Sequence, residues 1–169
     1  MDLDKLTLKS QEALQSAQEL ARNLNQQSVE PAHVLHALLS DPEGVVYPLL
    51  QRLGQSPRAL RDRVQEILDR IPKVYGPQQE LLLSSATRQV LERALSEAQA
   101  LTDEYISTEH LLLALLESGT EVARLLTDAG IARERVLSAL AELRGRQRVT
   151  DQTPEEKYQA LERYGRDLT

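Results

Sequence analysis

The sequence predicts an all-α fold in which two pseudo-symmetric repeats of a four-helix unit pack as one globular domain, followed by a C-terminal linker helix. Aromatic residues make up only 3% of the 169 residues, and Phe and Trp are absent, so the core has to be aliphatic. Leucine and alanine recur at the spacing of amphipathic helices, and no segment shows a convincing strand pattern. The same apolar pattern occurs twice along the chain, which predicts the two repeats.

The repeat is defined by residues that fall on core positions in both halves. A shift of 77 positions places Leu14 on Leu91, and after a one-residue deletion a shift of 76 places Gly54 on Gly130. Because the matches keep a constant spacing and fall on apolar positions, duplication explains them better than chance. We therefore predict a helical domain over residues 1–145, with repeat one at about 1–72 and repeat two at about 78–145, and a linker with a short helix over 146–169.

The helix boundaries of the first repeat follow from its capping residues. Thr7 occupies the N-cap position of the first helix, where its hydroxyl can accept a bond from a backbone N–H. Pro31 is favourable as the first residue of the second helix, and a short third helix over 45–53 stops at Gly54. Ser56-Pro57 predicts the start of the fourth helix.

The second repeat follows the same order. Helices are predicted to begin at about Ser85, Ser107 and Arg133, with a short helix over 122–128 before the last of them. The final helix of the repeat stops at Gly145.

The tail beyond this repeat has a different character. Residues 146–153 are polar and lack periodicity, which is typical of a linker. Thr153-Pro154 then predicts a helix that reaches about Tyr164. One short helix cannot form its own core, so it either docks on the domain or belongs to a further module, and we expect the segment to lead into such a module.

Composition limits the classes of partner. The 20 basic and 26 acidic side chains give a formal net charge of −6, which argues against nucleic-acid binding. There is no Cys, so disulfides and thiolate chemistry are excluded. No apolar run approaches the roughly 18 residues of a membrane span, and the N-terminus is too polar for a signal peptide. We therefore expect a cytoplasmic protein that binds neither nucleic acid nor membranes.

Catalytic motifs are missing from the chain. None of the seven glycines is followed by Lys, so there is no phosphate-binding loop, and there is no nucleophile elbow. We therefore expect no catalytic residue, metal or cofactor in this chain. His33 and His36 lie one turn apart and could bind a metal. His33 corresponds to His110 near a helix start in the second repeat, however, and this favours a capping or packing role.

Two further segments allow alternative interpretations. Arg144, Arg146 and Arg148 form a small basic cluster, which is either a solvated face of the linker or a weak phosphate contact. The run Leu81–Leu83 precedes the fifth helix without an evident counterpart in Lys5-Leu6. It either caps the core or forms an exposed apolar patch for a partner.

Several motifs along the chain are shared with a known family. They are Leu6-Thr7, Ala13-Leu14, Ala17-Gln18, Val29-Glu30-Pro31-Ala32-His33, Ala37-Leu38-Leu39, Arg70-Ile71-Pro72-Lys73-Val74, Tyr105-Ile106-Ser107-Thr108-Glu109-His110-Leu111 and the tail from Val149 to Thr169. Together they resemble the Clp N-domain family, and in particular the N-terminal domains of bacterial ClpB-type disaggregases. The resemblance covers essentially the whole chain.

The resemblance implies a role in substrate handling. Such a domain binds unfolded or aggregated polypeptides and presents them to a hexameric ATPase ring, which uses ATP and Mg²⁺ through other domains. A stress-response chaperone of this kind also works with an Hsp-type co-chaperone system. The alternative is a domain that docks a folded adaptor protein, as in ClpA- or ClpC-type unfoldases.

The resemblance also implies a set of substrate-binding residues. They are Thr7, Leu91, Asp103 and Glu109, with Leu81, Leu82 and Leu83 as a possible accessory apolar surface. Three positions of the family's apolar groove depart from its pattern, since they hold Arg93, Glu97 and His110.

Overall fold

The chain forms eight α-helices in the part that the computed structural model describes, residues 3–76, 80–145, 149–150 and 152–154. After a 3₁₀ turn at Leu3–Lys5, the helices are α1 (Leu8–Asn23), α2 (Pro31–Leu39), α3 (Val46–Arg52), α4 (Pro57–Asp69), α5 (Ser85–Ala100), α6 (Thr108–Leu116), α7 (Glu121–Asp128) and α8 (Arg133–Arg144). This confirms the predicted all-α class and the two sets of four helices. Of the helix predicted to begin at Pro154, only that first residue is described, and residues 155–164 lie outside the described part.

Helices α2 and α6 form the centre of the molecule. Every residue of α6 is buried, and so is every residue of α2 except His36. A helix that is apolar on all sides has to be covered on all sides. Accordingly α1 and α4 pack on α2, α5 packs on α6, and α2 contacts α6 directly. Contacts of α3 with α8 and of α4 with α7 join the outer helices of the two repeats.

Two short strands correct the expectation that no strand is present. β1 (Ser28–Val29) and β2 (Leu82–Leu83) pair in parallel, with Val29 opposite Leu83. A second parallel bridge joins Leu6 to Ile106. Strands of two residues are too short to show a period-two pattern, so the sequence could not reveal them.

The two strand pairings also relate the repeats. Leu83 lies 77 positions after Leu6, and Ile106 lies 77 positions after Val29. The prediction that Leu81–Leu83 lacks a counterpart in Lys5-Leu6 is therefore wrong, since Leu83 takes the place of Leu6. Reciprocal pairing of this kind is what an approximate two-fold axis produces.

The chain after α8 returns to the N-terminal end of the domain. Gly145 has a φ of 59°, in the left-handed region that favours glycine at a helix end. The Glu104 N–H donates to the Val149 carbonyl at 2.7 Å, and the Leu8 N–H donates to the Gln152 carbonyl at 2.9 Å. Val149 is fully buried, so this part of the tail packs on the helical domain. The predicted division of the chain at residue 146 stays a prediction.

The central helices should dominate stability. We expect Leu35→Ala in α2, where the side chain is fully buried, to lower the free energy of unfolding by about 2–5 kcal/mol, because it removes apolar contacts and leaves a cavity. Leu8→Ala removes the same atoms from an exposed side chain. It should change the free energy of unfolding by less than about 0.5 kcal/mol. Urea denaturation measures both. Equal losses in the two variants would contradict the central position of α2.

Candidate functional site

Thr7 ties the start of α1 to the segment that precedes α6. Its hydroxyl oxygen accepts a hydrogen bond from the Ser10 N–H at 3.2 Å, which confirms the predicted N-cap. The Thr7 N–H donates to the Ile106 carbonyl at 3.0 Å, and the Ser10 hydroxyl donates to the same carbonyl at 2.9 Å. Thr7 is fully buried as a result.

His33 and His110 cap the two central helices in the same way, which confirms their predicted role. Each lies at the third position of its helix and receives a hydrogen bond on Nδ1 from the backbone N–H at the N-cap position. The donors are Glu30 and Ser107, both at 2.8 Å. Because Nδ1 accepts a hydrogen bond, it carries no hydrogen, so each ring is neutral and carries its hydrogen on Nε2.

Burial keeps both imidazoles neutral. It lowers the pKa of His33 to about 4, although the nearby Glu30 carboxylate acts in the opposite direction. Burial likewise lowers the pKa of His110, against the raising effect of Asp103. Protonation of either ring would place a hydrogen on Nδ1 and abolish the cap, because Nδ1 could no longer accept a hydrogen bond.

The Nε2 atoms of the two rings bind different partners. His33 Nε2–H donates to the Gln26 amide oxygen at 2.5 Å, and the Gln26 amide nitrogen donates to the Leu68 carbonyl at 2.8 Å. In the second repeat His110 Nε2–H donates to Asp103 at 2.7 Å. The turn before α2 in the first repeat thus contains a neutral hydrogen-bond network. The equivalent turn before α6 in the second repeat contains a charged one.

Asp103 is the most heavily bonded carboxylate of this network. Arg144 donates to its two oxygens at 2.5 and 3.0 Å, and the Val149 N–H donates to it at 2.9 Å. Burial raises the pKa of Asp103, but the hydrogen bonds from His110, Arg144 and Val149, with the Arg144 charge, outweigh burial and lower it to about 2. The carboxylate therefore holds α6, α8 and the tail to the α5–α6 turn.

Neither interpretation of the basic cluster describes Arg144. Its side chain is buried against Asp103, so it forms neither a solvated linker face nor a phosphate contact. It occupies the position of Leu68 in the first repeat at a shift of 76 residues. Arg146 and Arg148 lie outside the described residues.

All four predicted substrate-binding residues lie in the interior. Glu109 is fully buried at the second position of α6, where its carboxylate accepts a hydrogen bond from the Ser107 hydroxyl. Leu91 belongs to the buried face of α5. Thr7, Asp103 and Glu109 surround the segment between α5 and α6, and Leu91 is part of the core. A direct contact of these side chains with a polypeptide stays a prediction.

A second ionic cluster, centred on the buried Glu97, occupies the predicted groove positions on α5. Glu97 accepts two hydrogen bonds from the Arg133 guanidinium, at 2.7 and 2.6 Å, and one from Arg93 at 3.3 Å. Burial raises the pKa of Glu97, but these two arginines outweigh burial and lower it. The positions that depart from the family pattern are therefore paired with each other or, for His110, with Asp103, rather than left open.

A shallow groove of about 240 Å³ is lined by residues of α1, α2, the connection to α3, the first residue of α3 and the first residue of α6. Ala13 and Leu38 belong to its apolar lining, and Lys9 forms ion pairs with Asp41 at 3.1 Å and with Glu12 at 3.6 Å. Small-molecule pockets usually measure about 300–1,000 Å³, so this groove suits one or two side chains of a longer chain. We call it the α1 groove, and it is lined by Lys9, Glu12, Ala13, Ser16, Ala37, Leu38, Ser40, Asp41, Gly44, Val46 and Thr108.

Sequence reasoning missed the α1 groove because its wall combines both repeats. Thr108 comes from the second repeat, whereas the other lining residues come from the first. Ala13, Leu38 and Thr108 fall within motifs shared with the family, but the motifs do not indicate that these residues line one groove. Small side chains such as Ala13 and Ala37 on facing helices were the only available signal.

The accessory surface predicted at Leu81–Leu83 is open at one residue. Leu82 is 60% exposed. Leu81 and Leu83 are partly buried and pack against the core. Packing against the core thus describes Leu81 and Leu83, and a partner surface at Leu82 stays a prediction.

The described residues include no group of three or more His or acidic side chains placed to hold a metal ion. In the same part of the chain, no helix has both the length and the apolarity that a bilayer span requires.

Comparison with known proteins assigns the family. Residues 5–129 match the family model described as the Clp repeat (R) N-terminal domain. The chain belongs to this family. Its sequence is 41% identical over 171 residues to the chaperone protein ClpB of Bacillus anthracis, covering 99% of this chain, and 38% identical over 169 residues to that of Mycobacterium tuberculosis, covering all of it. The chain spans only 20% of the length of these relatives and matches their N-terminal region.

Solved structures agree with the family. The Hsp104 N-terminal domain from Candida albicans superimposes with a TM-score of 0.78 and 26% identity, covering 89% of this chain and 99% of that one. The N-domain of ClpV from Vibrio cholerae superimposes with a TM-score of 0.70 over 82% of this chain and 84% of that one; at 20% identity it supports the fold alone.

The neutral histidine cap should be visible by NMR. We expect the His33 ring to titrate with a pKa of about 4 and to remain in the Nε2–H form above it. Because the folded pKa lies below the value of 6.5 for an unfolded chain, the unfolded state binds more protons between these values. Stability should therefore fall by about 3 kcal/mol as pH drops from about 6.5 to 4. Titration near 6.5, or an Nδ1–H form, would refute the cap.

The charged network should depend on Asp103. We expect Asp103→Asn to lower the free energy of unfolding at pH 7 by about 3 kcal/mol, because Arg144 is left buried without its counter-charge.

The acid response should change as well. The depressed pKa of Asp103 contributes about 2 kcal/mol of stability that is present above pH 4 and is lost as pH falls towards 2; the variant should lack this loss. Denaturation curves across this pH range measure both effects. Glu104→Gln, at the exposed neighbouring carboxylate, is the control, and an equal response from it would refute the role of Asp103.

Proposed function

We propose that this domain recruits unfolded or aggregated polypeptides for an ATP-dependent disaggregase and presents them to the hexameric ATPase ring of the full-length protein. The observation that carries the proposal is the match of 99% of the chain to the N-terminal region of ClpB chaperones at about 40% identity. Family membership supports a general role as a chaperone N-domain. Recruitment of unfolded polypeptides is the specific task that we propose within that general role.

The rest of the proposed machine lies outside this chain. ATP and Mg²⁺ would bind the ATPase modules, which would form the homohexamer in the cytoplasm. An Hsp-type co-chaperone would act through those modules in the stress response. The task of this domain is then to bind a chain weakly and release it, and no bond is made or broken here.

We infer that the α1 groove makes the first contact. Its apolar lining includes Ala13, Leu38 and Val46, and its charged lining includes Lys9 and Asp41. Burying about 100 Å² of apolar surface there contributes roughly 2.5 kcal/mol, which is little against the entropic cost of association. Weak contact of this kind suits transfer to a ring, where six tethered copies would add avidity.

The predicted binding residues would then affect polypeptide binding indirectly, by holding the helices that form the α1 groove. They are Thr7, Leu91, Asp103 and Glu109. Thr108 lines the α1 groove and is the neighbour of Glu109. Thr7 fixes the start of α1, the helix that supplies Lys9 and Ala13 to the groove. Changes at these buried residues would alter binding through the shape of the groove, in addition to their cost in stability.

The proposal is tested by filling the groove. Ser16 is exposed on α1 and lines the groove, whereas Gln15 is exposed on α1 and does not line it. We expect Ser16→Arg to weaken binding of a reduced, carboxymethylated model protein at least fivefold, because the long cationic side chain covers the apolar lining. Gln15→Arg adds the same charge and should stay within twofold.

Fluorescence anisotropy with the labelled model protein measures both variants. Amide shift changes on titration should cluster around the groove. Absence of binding by the unmodified domain, or equal effects of the two variants, would refute the proposal. Binding of only a folded protein partner would support adaptor docking instead.

A further inference from the structure

The two repeats pair their strands reciprocally, so the chain presents two equivalent backbone edges. The Thr7 N–H donates to the Ile106 carbonyl at 3.0 Å, and the Ser84 N–H donates to the Val29 carbonyl at 3.1 Å. The two donors, Thr7 and Ser84, are 77 positions apart in the sequence, and so are the two acceptors, Val29 and Ile106. The backbone in front of α1 and the backbone in front of α5 therefore have the same geometry, and each has an outer edge that points away from its partner.

The outer edge in front of α1 is covered by the tail of the same chain. The Leu8 N–H donates to the Gln152 carbonyl at 2.9 Å, and the Gln152 side-chain amide donates to the Leu6 carbonyl at 3.4 Å. Val149 is fully buried, and its carbonyl accepts from the Glu104 N–H at 2.7 Å. The tail thus meets this edge through one main-chain and one side-chain hydrogen bond of Gln152, while Val149 is bonded to the segment before α6.

The outer edge in front of α5 has no such cover among the described residues. The pairing of Leu83 with Val29 directs the Leu83 N–H and carbonyl away from β1, as Leu6 is directed away from Ile106. The Ser85 N–H corresponds to that of Leu8. No hydrogen bond from the described part of the chain reaches these three groups. An edge of this kind is a template for another strand, and the exposed Leu82 lies in the same strand.

We propose that an extended segment of an unfolded polypeptide binds along the outer edge of β2, at Leu83 and Ser85, as an added strand. The tail on the equivalent edge shows how an occupant is held, since Gln152 bonds the backbone of Leu6 and Leu8. This surface is separate from the α1 groove, so the domain would hold a client chain at two places.

The two edges differ in one contact that decides how firmly the occupant is held. Asp103 accepts a hydrogen bond from the Val149 N–H at 2.9 Å. The corresponding Gln26 is engaged by His33 and by the Leu68 carbonyl, and it carries no charge. The β2 edge therefore has no charged acceptor in the position that Asp103 holds beside the tail.

Ser85 offers a selective test of the edge. It is the first residue of α5, where proline is well tolerated, and Ser84 has a φ of −66° and a ψ of 162°, which suit a residue before proline. Ser85→Pro removes the outward N–H without breaking a helix or strand hydrogen bond. Ser85→Ala keeps the N–H and is the matched control.

The probe is a fluorescein-labelled, end-capped peptide of eight alternating valines and threonines. We expect Ser85→Pro to weaken its binding about fivefold, the effect of one lost main-chain hydrogen bond, and Ser85→Ala to stay within twofold. A peptide with N-methyl groups on alternate residues should bind the unmodified domain at least fivefold more weakly. Addition of the unmethylated peptide should slow hydrogen exchange at Leu83 and Ser85.

Equal binding of the unmethylated and the N-methylated peptide to the unmodified domain would overturn the proposal. Unchanged peptide binding by Ser85→Pro would also overturn it, provided that the unfolding curve of this variant matches that of the unmodified domain. The groove and the edge are distinguished by Ser16→Arg, which should leave the binding of this peptide unchanged. Loss of peptide binding in Ser16→Arg but not in Ser85→Pro would place the peptide in the α1 groove. That result would refute the β2-edge proposal and leave the proposed function intact.

Discussion

The complete burial of α2 and α6 is the constraint on which the rest of this structure depends. A helix leaves its first backbone N–H groups and the turn before it without partners, and burial removes the water that would otherwise bind them. This chain meets the demand with a histidine at the third position of each buried helix. The ring must be neutral to accept a hydrogen bond, so its other nitrogen becomes a donor that needs an acceptor in the preceding turn. One requirement therefore fixes the cap, the tautomer and the residue seven positions earlier.

Divergence of the two repeats at that acceptor separates their roles. Gln26 satisfies His33 with a neutral amide and reaches the carbonyl of Leu68. Asp103 satisfies His110 with a carboxylate, and this charge requires a buried counter-charge from Arg144. The carboxylate also accepts the Val149 N–H, so the tail is held beside the second repeat. The substitution of one polar residue thus couples the helical domain to the segment that follows it.

The burial of the predicted binding residues changes how their importance should be understood. Thr7 and Glu109 are fully buried, and Asp103 is occupied by three partners. Side chains in such positions set the geometry of a surface rather than form it. Exposed or partly exposed groups at the α1 groove and at β2 would be available to a client chain, and the α1 groove lies beside segments that Thr7 and Glu109 hold in place.

Much of the fold was accessible from the sequence by itself. The duplication, the aliphatic core, the caps at Thr7 and Ser56 and the capping role of His33 and His110 follow from local pattern and repetition, because helix starts and apolar faces are encoded within a few residues. The functional family followed from motifs along the whole chain.

Tertiary structure alone decided the remaining features. The pairings of Leu6 with Ile106 and of Val29 with Leu83 join residues far apart in sequence through backbone atoms, which leave no side-chain signature. The burial of Arg144 depended on a partner 41 residues away. The α1 groove combines residues of both repeats, and a surface made of distant segments exists only once they are packed together.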